Sequence, residues 1–427
     1  MKTDKPRVGM AIIVKNEGPY LIEWLAHHSL MGFDHFYVVN NDSSDNTWPL
    51  LQALSQTLPI TCFSYATTPG IGPQLPVYEE IVRRHGHEVD WMAFMDADEF
   101  LWPSHHPDTV ADLLQTTLHA NPDVGALALN WATYGSSMKV VEESGLVTER
   151  FLHHAPQQHH LNHHFKSIIR MDAFAGFVCP HSCQLKPGYR YLHTDGTEKR
   201  DYFYAGQRNP SQSGDVCWTR FRINHYVVKS YAEFVLRKAP RGRAFQEDHQ
   251  LDDQFFLHHD NNEVPASPCP QHIADLTARY QAIAGHIGLA DPAGLMAKSA
   301  APPEADSAVL QLPVVGSVDI LEEQAGCLKI TGWALLWKVD PAAGFIVTDQ
   351  GSAVPIESWQ AVERPDVQQH YPPAPLRSGF EIRIRKSGPL TAQDIAVRAL
   401  TPGGHVTQTI PPNANANTIH HGNTRQV

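Results

Sequence analysis

Residues 90–103, DWMAFMDADEFLWP, set three carboxylates, Asp96, Asp98 and Glu99, within four positions between two apolar runs. Carboxylates this close repel one another, and burying them unpaired is costly. A solvated turn or a helix start relieves the repulsion. So does a hard divalent cation, because Mg2+ or Mn2+ takes oxygen ligands, keeps part of its water and bridges to phosphate oxygens. Asp-x-Asp alone is a weak signal. It gains weight here by ending an apolar strand, Trp91–Met95.

A second block, RINHYVVKS at 222–230, brings a histidine and a lysine four residues apart. His225 offers a nitrogen ligand. If the segment is helical, Lys229 shares its face. An ammonium there suits a departing diphosphate, on which negative charge develops as the bond breaks. A core histidine beside a surface lysine is the plainer reading. The run HHAPQQHHLNHH (153–164) has His159/His163 and His160/His164 at helical spacing, and Cys179, His181 and Cys183 cluster within five residues. Both lack the complete ligand set a zinc site needs. No P-loop, no G-x-G-x-x-G after the first strand and no G-x-S-x-G elbow is present, which removes the main support for kinase, dehydrogenase and hydrolase readings.

The elements that carry these residues alternate. Apolar strands at 8–14, 35–39, 59–65, 91–95 and 124–131 are separated by helices at 19–31, 48–56, 75–86 and 110–120. This predicts an α/β fold, a mostly parallel sheet with helices on both faces. Ligands of such sheets sit beyond the carboxyl ends of the strands. The loops VKNEGP, NNDSSDNT and DADEF all lie there. From about 145 the pattern is mixed, with strands at FKSIIR and FVCPHSCQL and helices at 230–242 and 274–288. An Ala/Pro-rich linker at 291–312 follows. Short alternating strands without a helix then predict an all-β sandwich at 313–410, with a disordered tail at 411–427.

Net charge is −12, from 33 basic and 45 acidic residues, which excludes a broad nucleic-acid footprint. A hydrophobic content of 42% supplies a real core. Six irregularly spaced cysteines fit a reducing compartment. The first apolar run is too short for a signal peptide, and no window reaches the roughly 18 apolar residues of a membrane span. The expected location is the cytoplasm, with peripheral contact at the inner face of the membrane left open.

In order along the chain, VKNEGPYLIEWLAHHSLMGFDHFYVVNNDSSDNT, DWMAFMDADEFLWP, LNWATYGSS, LVTERF, HFKSIIR, Pro180-His181 and INHYVVKSYAEFVLRKAPRG resemble GT-A glycosyltransferases. The likeness is to family 92 and the family 2-like group found in bacteria, over roughly residues 7–265. It implies a GT-A, Rossmann-like domain at 1–290, a nucleotide-sugar donor of the UDP type and Mn2+ or Mg2+ as cofactor. Carried over, Asp98 and Asp96 are metal ligands with His225, and Asp96 also reaches the donor ribose. Asn16, Glu17, Asn40 and Asn41 line the nucleoside pocket, and Lys229 meets the diphosphate. Many family 2 enzymes have two aspartates where Asn40 and Asn41 stand. Trp131, Tyr134, Ser136 and His181 face the acceptor. TGWALLW, ERPDV and SGF resemble an accessory β-sandwich appended to bacterial members.

The resemblance implies sugar transfer to a glycan or glycolipid hydroxyl with inversion, as in polysaccharide biosynthesis, and a carboxylate base. Asp195 and Asp215, with Glu198 and Asp201, are the acidic residues in the region expected to supply it. Two other classes stay open: a non-catalytic nucleotide-sugar or glycan-binding protein on the same fold, and a sugar nucleotidyltransferase.

Overall fold

The computed structural model describes residues 5–241, 251–287, 311–324, 327–338, 340–372, 374–385, 393–413 and 419–421. They fall into two compact units. One comprises Met1–Ser137, Val141–Asp252 and Val264–Pro303; the other comprises Met138–Val140, Asp253–Glu263 and Glu304–Val427. Residues 291–310 of the expected linker lie outside the described residues.

In the first unit β1 (Val8–Val14), α1 (Gly18–Leu30), β2 (His35–Asn40), α2 (Thr47–Leu54), β3 (Ile60–Ser64), α3 (Gln74–His85) and β4 (Trp91–Met95) alternate. Then come β5 (Glu99–Pro103), α4 (Val110–Ala120), β6 (Val124–Thr133), α5 (Val147–Arg150), β7 (His153–His154) and β8 (Phe165–Arg170). A hairpin of β9 (Phe174–Cys179) and β10 (Ser182–Leu185), strand β11 (Arg190–His193), and a hairpin of β12 (Asp201–Tyr204) and β13 (Gln207–Ser213) lead to β14 (Phe221–His225). Helix α6 (Tyr231–Glu233) runs into a π-helical turn, Phe234–Lys238, and α7 (Ala239–Arg241). Helix α8 (Asp253–His259) belongs to the second unit, whereas β15 (Val264–Pro265) and α9 (Pro270–His286) return to the first.

The main sheet has the order β3-β2-β1-β4-β8-β6-β14-β5, with β11 beside β6. Strands β1, β2, β3 and β4 pair in parallel, as expected. All seven residues of β1 are buried because both faces are covered. Val8, Met10, Ile12 and Val14 join the core under α1, α2, α4 and α9. Ala11 and Ile13 face the other way, toward Val77, Tyr78 and Ile81 of α3. The alternation is the two-residue period of a strand.

Four readings change. Strand β8 lies antiparallel between β4 and β6, and β5 lies antiparallel to β14, so the sheet is mixed at its centre and edge. Residues 222–230 are not helical: Phe221 and Ile223 commit the segment to the sheet core, and Lys229 sits in the turn beyond at φ 57. His160–His163 forms only a 3-10 helix, whose three residues per turn do not align i, i+4 pairs. Among the described residues, no group of three or more His, Cys, Asp or Glu side chains is disposed to hold a metal. Finally, Ile419–His421 pairs in parallel with Leu321–Glu323, so that part of the expected disordered tail has its backbone bonds in a sheet.

The second unit holds two sheets. Strands Gly344–Asp349 and Ile395–Leu400 are central in one, and Cys327–Leu336 and Gly379–Arg385 in the other. Phe345 of the first packs on Phe380 of the second at 4.5 Å between ring centroids. This is a β-sandwich contact, with one short helix, Pro365–His370, where only strands were expected.

Candidate active site

Strand β4 ends at Met95, and the chain turns back at once into β5. Glu99 builds that turn: its Oε2 accepts from Asp96 N at 2.8 Å, and its own N–H donates to Asp96 O at 3.1 Å. The β5–β14 register sets His225 opposite Glu99, and Tyr226 N donates to Asp98 O at 2.8 Å. These pairings bring His225 Nε2 to 3.4 Å from Asp98 Oδ1. A separation of 127 residues in sequence, from Asp98 to His225, is thus closed by strand register rather than by a helix face.

Asp98 also contacts Lys238 from the π-helical turn. Burial alone would raise the Asp98 carboxyl, but Lys238, His225 and Lys229 more than offset it and hold the group well below the usual carboxylate range. Asp96 is turned elsewhere. Its Oδ2 takes the ammonium of Lys166 at 2.9 Å, and its Oδ1 accepts from Gln74 Nε2 at 2.6 Å. Lys166 is fully buried on β8; burial would lower its ammonium, yet Asp96 and Glu99 raise it above its ordinary value. Glu99 is raised well above its usual range, first by burial and then by Asp96, against the pull of Lys166.

Lys229 enters from the next loop. Its left-handed φ is sparsely allowed for a lysine, and the following helix start holds it. Ser230 and Glu233 form a reciprocal capping box, and Glu233 is bound bidentately by Arg150 at 2.9 and 3.0 Å and by Tyr20 OH at 2.9 Å. The buried Lys229 Nζ lies 4.3 Å from the Tyr20 ring centroid, and desolvation lowers its ammonium, with Glu17 and Asp98 opposing.

The other expected site residues divide. Glu17 is buried and pairs with Arg241, leaving its Oε2 without a protein partner. Asn16 is a brace: its Oδ1 accepts from Ser44 N at 2.8 Å, tying the loop after β1 to the loop after β2. Asn41 donates to Tyr65 O and Thr67 Oγ1. Asn40 donates to Ser64 Oγ, while its buried Oδ1 has no partner. Trp131 ends up against His225, with centroids 4.2 Å apart, and against His181 at 5.5 Å; its Nε1 is buried and unpartnered. Ser136 is buried close by in sequence. Tyr134 is buried on Tyr226 and its hydroxyl accepts from Arg222 at 3.2 Å, so it supports the β14 end from within the core.

The two base candidates both have partners in nearby loops. Asp195 is exposed and accepts from Thr197 N and Oγ1 in its own turn. Asp215 is paired on the surface with Arg200. Each carboxylate is already used by neighbouring loop structure. Sequence reasoning did not single out Lys166, Lys238, Arg241 or Gln74, and it read His164 only within a zinc pattern. A signal existed for Lys166, a lysine inside the apolar strand FKSIIR. None existed for Lys238, which a π-helical turn delivers.

As for a cation, Asp98 Oδ1 and His225 Nε2 lie 3.4 Å apart, a spacing that suits two ligands of one ion, while Asp98 Oδ2 contacts Lys238 and the oxygens of Asp96 contact Lys166 and Gln74. A two-ligand protein site leaves the remaining positions to water and to phosphate oxygens, which suits Mg2+ or Mn2+.

Residues 81–236 match the family model described as glycosyltransferase family 92, and this span includes Asp96, Asp98, Trp131, His225 and Lys229. A family 92 protein of Oryza sativa subsp. japonica is 26% identical over 187 residues, covering 42% of this chain and 30% of the rice protein. One from Ricinus communis is 24% identical over 204 residues, 46% of this chain and 35% of that protein. The chain thus spans about a third of the length of the curated relatives it matches. A solved structure, that of S. aureus TarS, aligns at 10% identity over 99% of this chain and 79% of the other, with a TM-score of 0.30. Residues 81–236 are thus similar to glycosyltransferase family 92. Among the described residues, no helix is long and apolar enough to cross a membrane.

Proposed function

We propose that the protein transfers a sugar from a nucleotide-sugar donor of the UDP type to a hydroxyl of a glycan or glycolipid, inverting the anomeric centre. The observation that carries this is the meeting of Asp98, His225 and Lys229 beyond the carboxyl ends of β4 and β14, inside the segment that matches the family 92 model. A divalent cation, Mn2+ or Mg2+, held by Asp98 and His225 would supply Lewis-acid stabilisation of the leaving diphosphate. Lys229, whose desolvated ammonium faces the same carboxylate, and Lys238 add positive charge there without reorganising. Asn40 Oδ1 is an acceptor suited to the N–H of a pyrimidine base. Trp131 Nε1 and Thr133 Oγ1 are buried, unpartnered polar atoms on β6 suited to sugar hydroxyls. The proposed setting is the cytoplasm, with peripheral contact at the inner face of the membrane left open.

A panel of UDP-sugars, each with and without Mn2+, tests this by thermal shift and by UDP release. The true donor stabilises the fold by mass action, by about 2.7 kcal/mol at a hundred times its Kd. A panel in which no nucleotide sugar binds refutes the reading.

A further inference from the structure

Transfer to a hydroxyl needs a proton acceptor, and the carboxylates around the site are engaged. Asp98 contacts His225 and Lys238, Asp96 contacts Lys166, Glu17 contacts Arg241, and Glu233 contacts Arg150. Glu99 holds the Asp96 backbone, and Glu23 accepts from Val147 N and Thr148 N. Against Trp131, which also packs on His225, stand two further imidazoles instead. His164 stacks on the indole at 4.8 Å and 21°, His181 lies 5.5 Å from it, and the two histidine rings are 5.8 Å apart.

His181 is held in one tautomer. Its Nδ1 lies 2.8 Å from Phe165 O, and a carbonyl only accepts, so the neutral ring carries its proton on Nδ1 and a lone pair on Nε2. Its backbone is fixed as well, because Ser167 Oγ donates to His181 O and is itself bonded to Tyr191 OH. His164 is less well defined: its Nδ1 faces both Leu161 O at 3.0 Å and the Gln212 amide at 3.4 Å. Among the described residues, no protein hydrogen bond reaches His181 Nε2, and the side chain is only partly covered.

We propose that His181 Nε2 is the proton acceptor for the incoming hydroxyl, resting on the donor and cation reading above. The diphosphate end of the donor lies at Asp98 and His225, and the reacting carbon is one phosphate further on. A base placed one aromatic ring from His225 is at the right remove. In the step, the acceptor oxygen forms a bond to the anomeric carbon while the carbon–oxygen bond to the diphosphate breaks and its electron pair leaves with the diphosphate. The hydroxyl proton moves to His181 Nε2, giving an imidazolium that returns it to water. Burial keeps His181 neutral, and Lys166, His164 and His225, the titratable groups facing it, act in the same direction. Its Nε2 lone pair is therefore available to take a proton near neutral pH.

The test uses the full chain, the UDP-sugar it binds best among UDP-glucose, UDP-galactose and UDP-N-acetylglucosamine, and methyl glycosides or water as acceptors. His181→Asn keeps a donor to Phe165 O but no base. It is expected to bind donor as the wild type does and to lose kcat by about 10²- to 10⁴-fold. His181→Ala is expected to recover turnover on adding imidazole, a response that a merely structural histidine does not give. Turnover of His181→Asn within about threefold of wild type overturns the proposal while leaving the donor reading intact. So does an imidazole-insensitive His181→Ala. A wild type that binds none of these donors overturns both.

Discussion

Replacing Lys166 with Met removes a cation that faces both Asp96 and Glu99. The ammonium is fully buried, 2.9 Å from Asp96 and 3.9 Å from Glu99, whose side chain is 0% exposed. Breaking a buried pair by removing one partner costs about 3–5 kcal/mol, because the remaining charge is uncompensated. Asp96 is 33% exposed and solvent screens part of its share, so the lower end, about 3 kcal/mol, is expected near neutral pH. The loss depends on pH with a definite sign. Burial raises Glu99 in the folded state, and Lys166 is what lowers it. Without Lys166 the folded protein holds the Glu99 proton to still higher pH. The deficit therefore shrinks toward about pH 5 and grows toward about pH 8. Urea denaturation of wild type and variant across that range measures it, and common effects of other groups cancel in the difference. Lys166→Met with Glu99→Gln, which removes the stranded charge, should recover most of the loss. A deficit below about 1 kcal/mol, or one that is the same at every pH, refutes the reasoning.

Other outcomes follow from the same contacts. Arg150→Ala strands Glu233 and should cost about 3–5 kcal/mol in denaturation, while also weakening donor binding because the cap behind Lys229 loosens. Lys229→Gly removes the ammonium and the left-handed strain together, so donor affinity should fall while the denaturation midpoint holds; calorimetry and a urea curve on one sample check both. Burial lowers His28 to about 3 and His154, His164 and His272 to about 4. Their unfolded forms take up protons below about pH 6.5, so stability is present above that value and is lost as pH falls, by about 1.4 kcal/mol per pH unit for each histidine. A stability flat between about pH 7 and about pH 5 contradicts this, and His28→Gln should flatten the slope.

The sheet was legible because its strands are buried on both faces and read as continuous apolar runs, and its crossovers are short. The carboxyl-edge loops followed from that alternation. What the sequence hid was the pairing. Nothing in FKSIIR shows that it inserts antiparallel between β4 and β6, and that insertion is what sends Lys166 to Asp96. His225 and Lys229 were singled out for the right neighbourhood on the wrong geometry, a helix face where a strand end and a left-handed turn stand. Position along the chain alone points to Asp195 and Asp215. Local partners, Thr197 and Arg200, decide what such loop carboxylates do, and these are not visible without coordinates. The bond that Asn16 Oδ1 accepts from Ser44 N, which ties two loops together, has no signal in the sequence.

The most direct measurement is a Mn2+ titration of donor binding in three proteins: wild type, Asp98→Asn and Asp96→Asn. If Asp98 and His225 hold the cation, Mn2+ tightens UDP-sugar binding in the wild type, and Asp98→Asn abolishes that increment while remaining folded. Asp96→Asn, which loses a partner of Lys166 rather than a metal ligand, keeps the increment. An Mn2+ effect that survives in Asp98→Asn and vanishes in Asp96→Asn contradicts the assignment of the site.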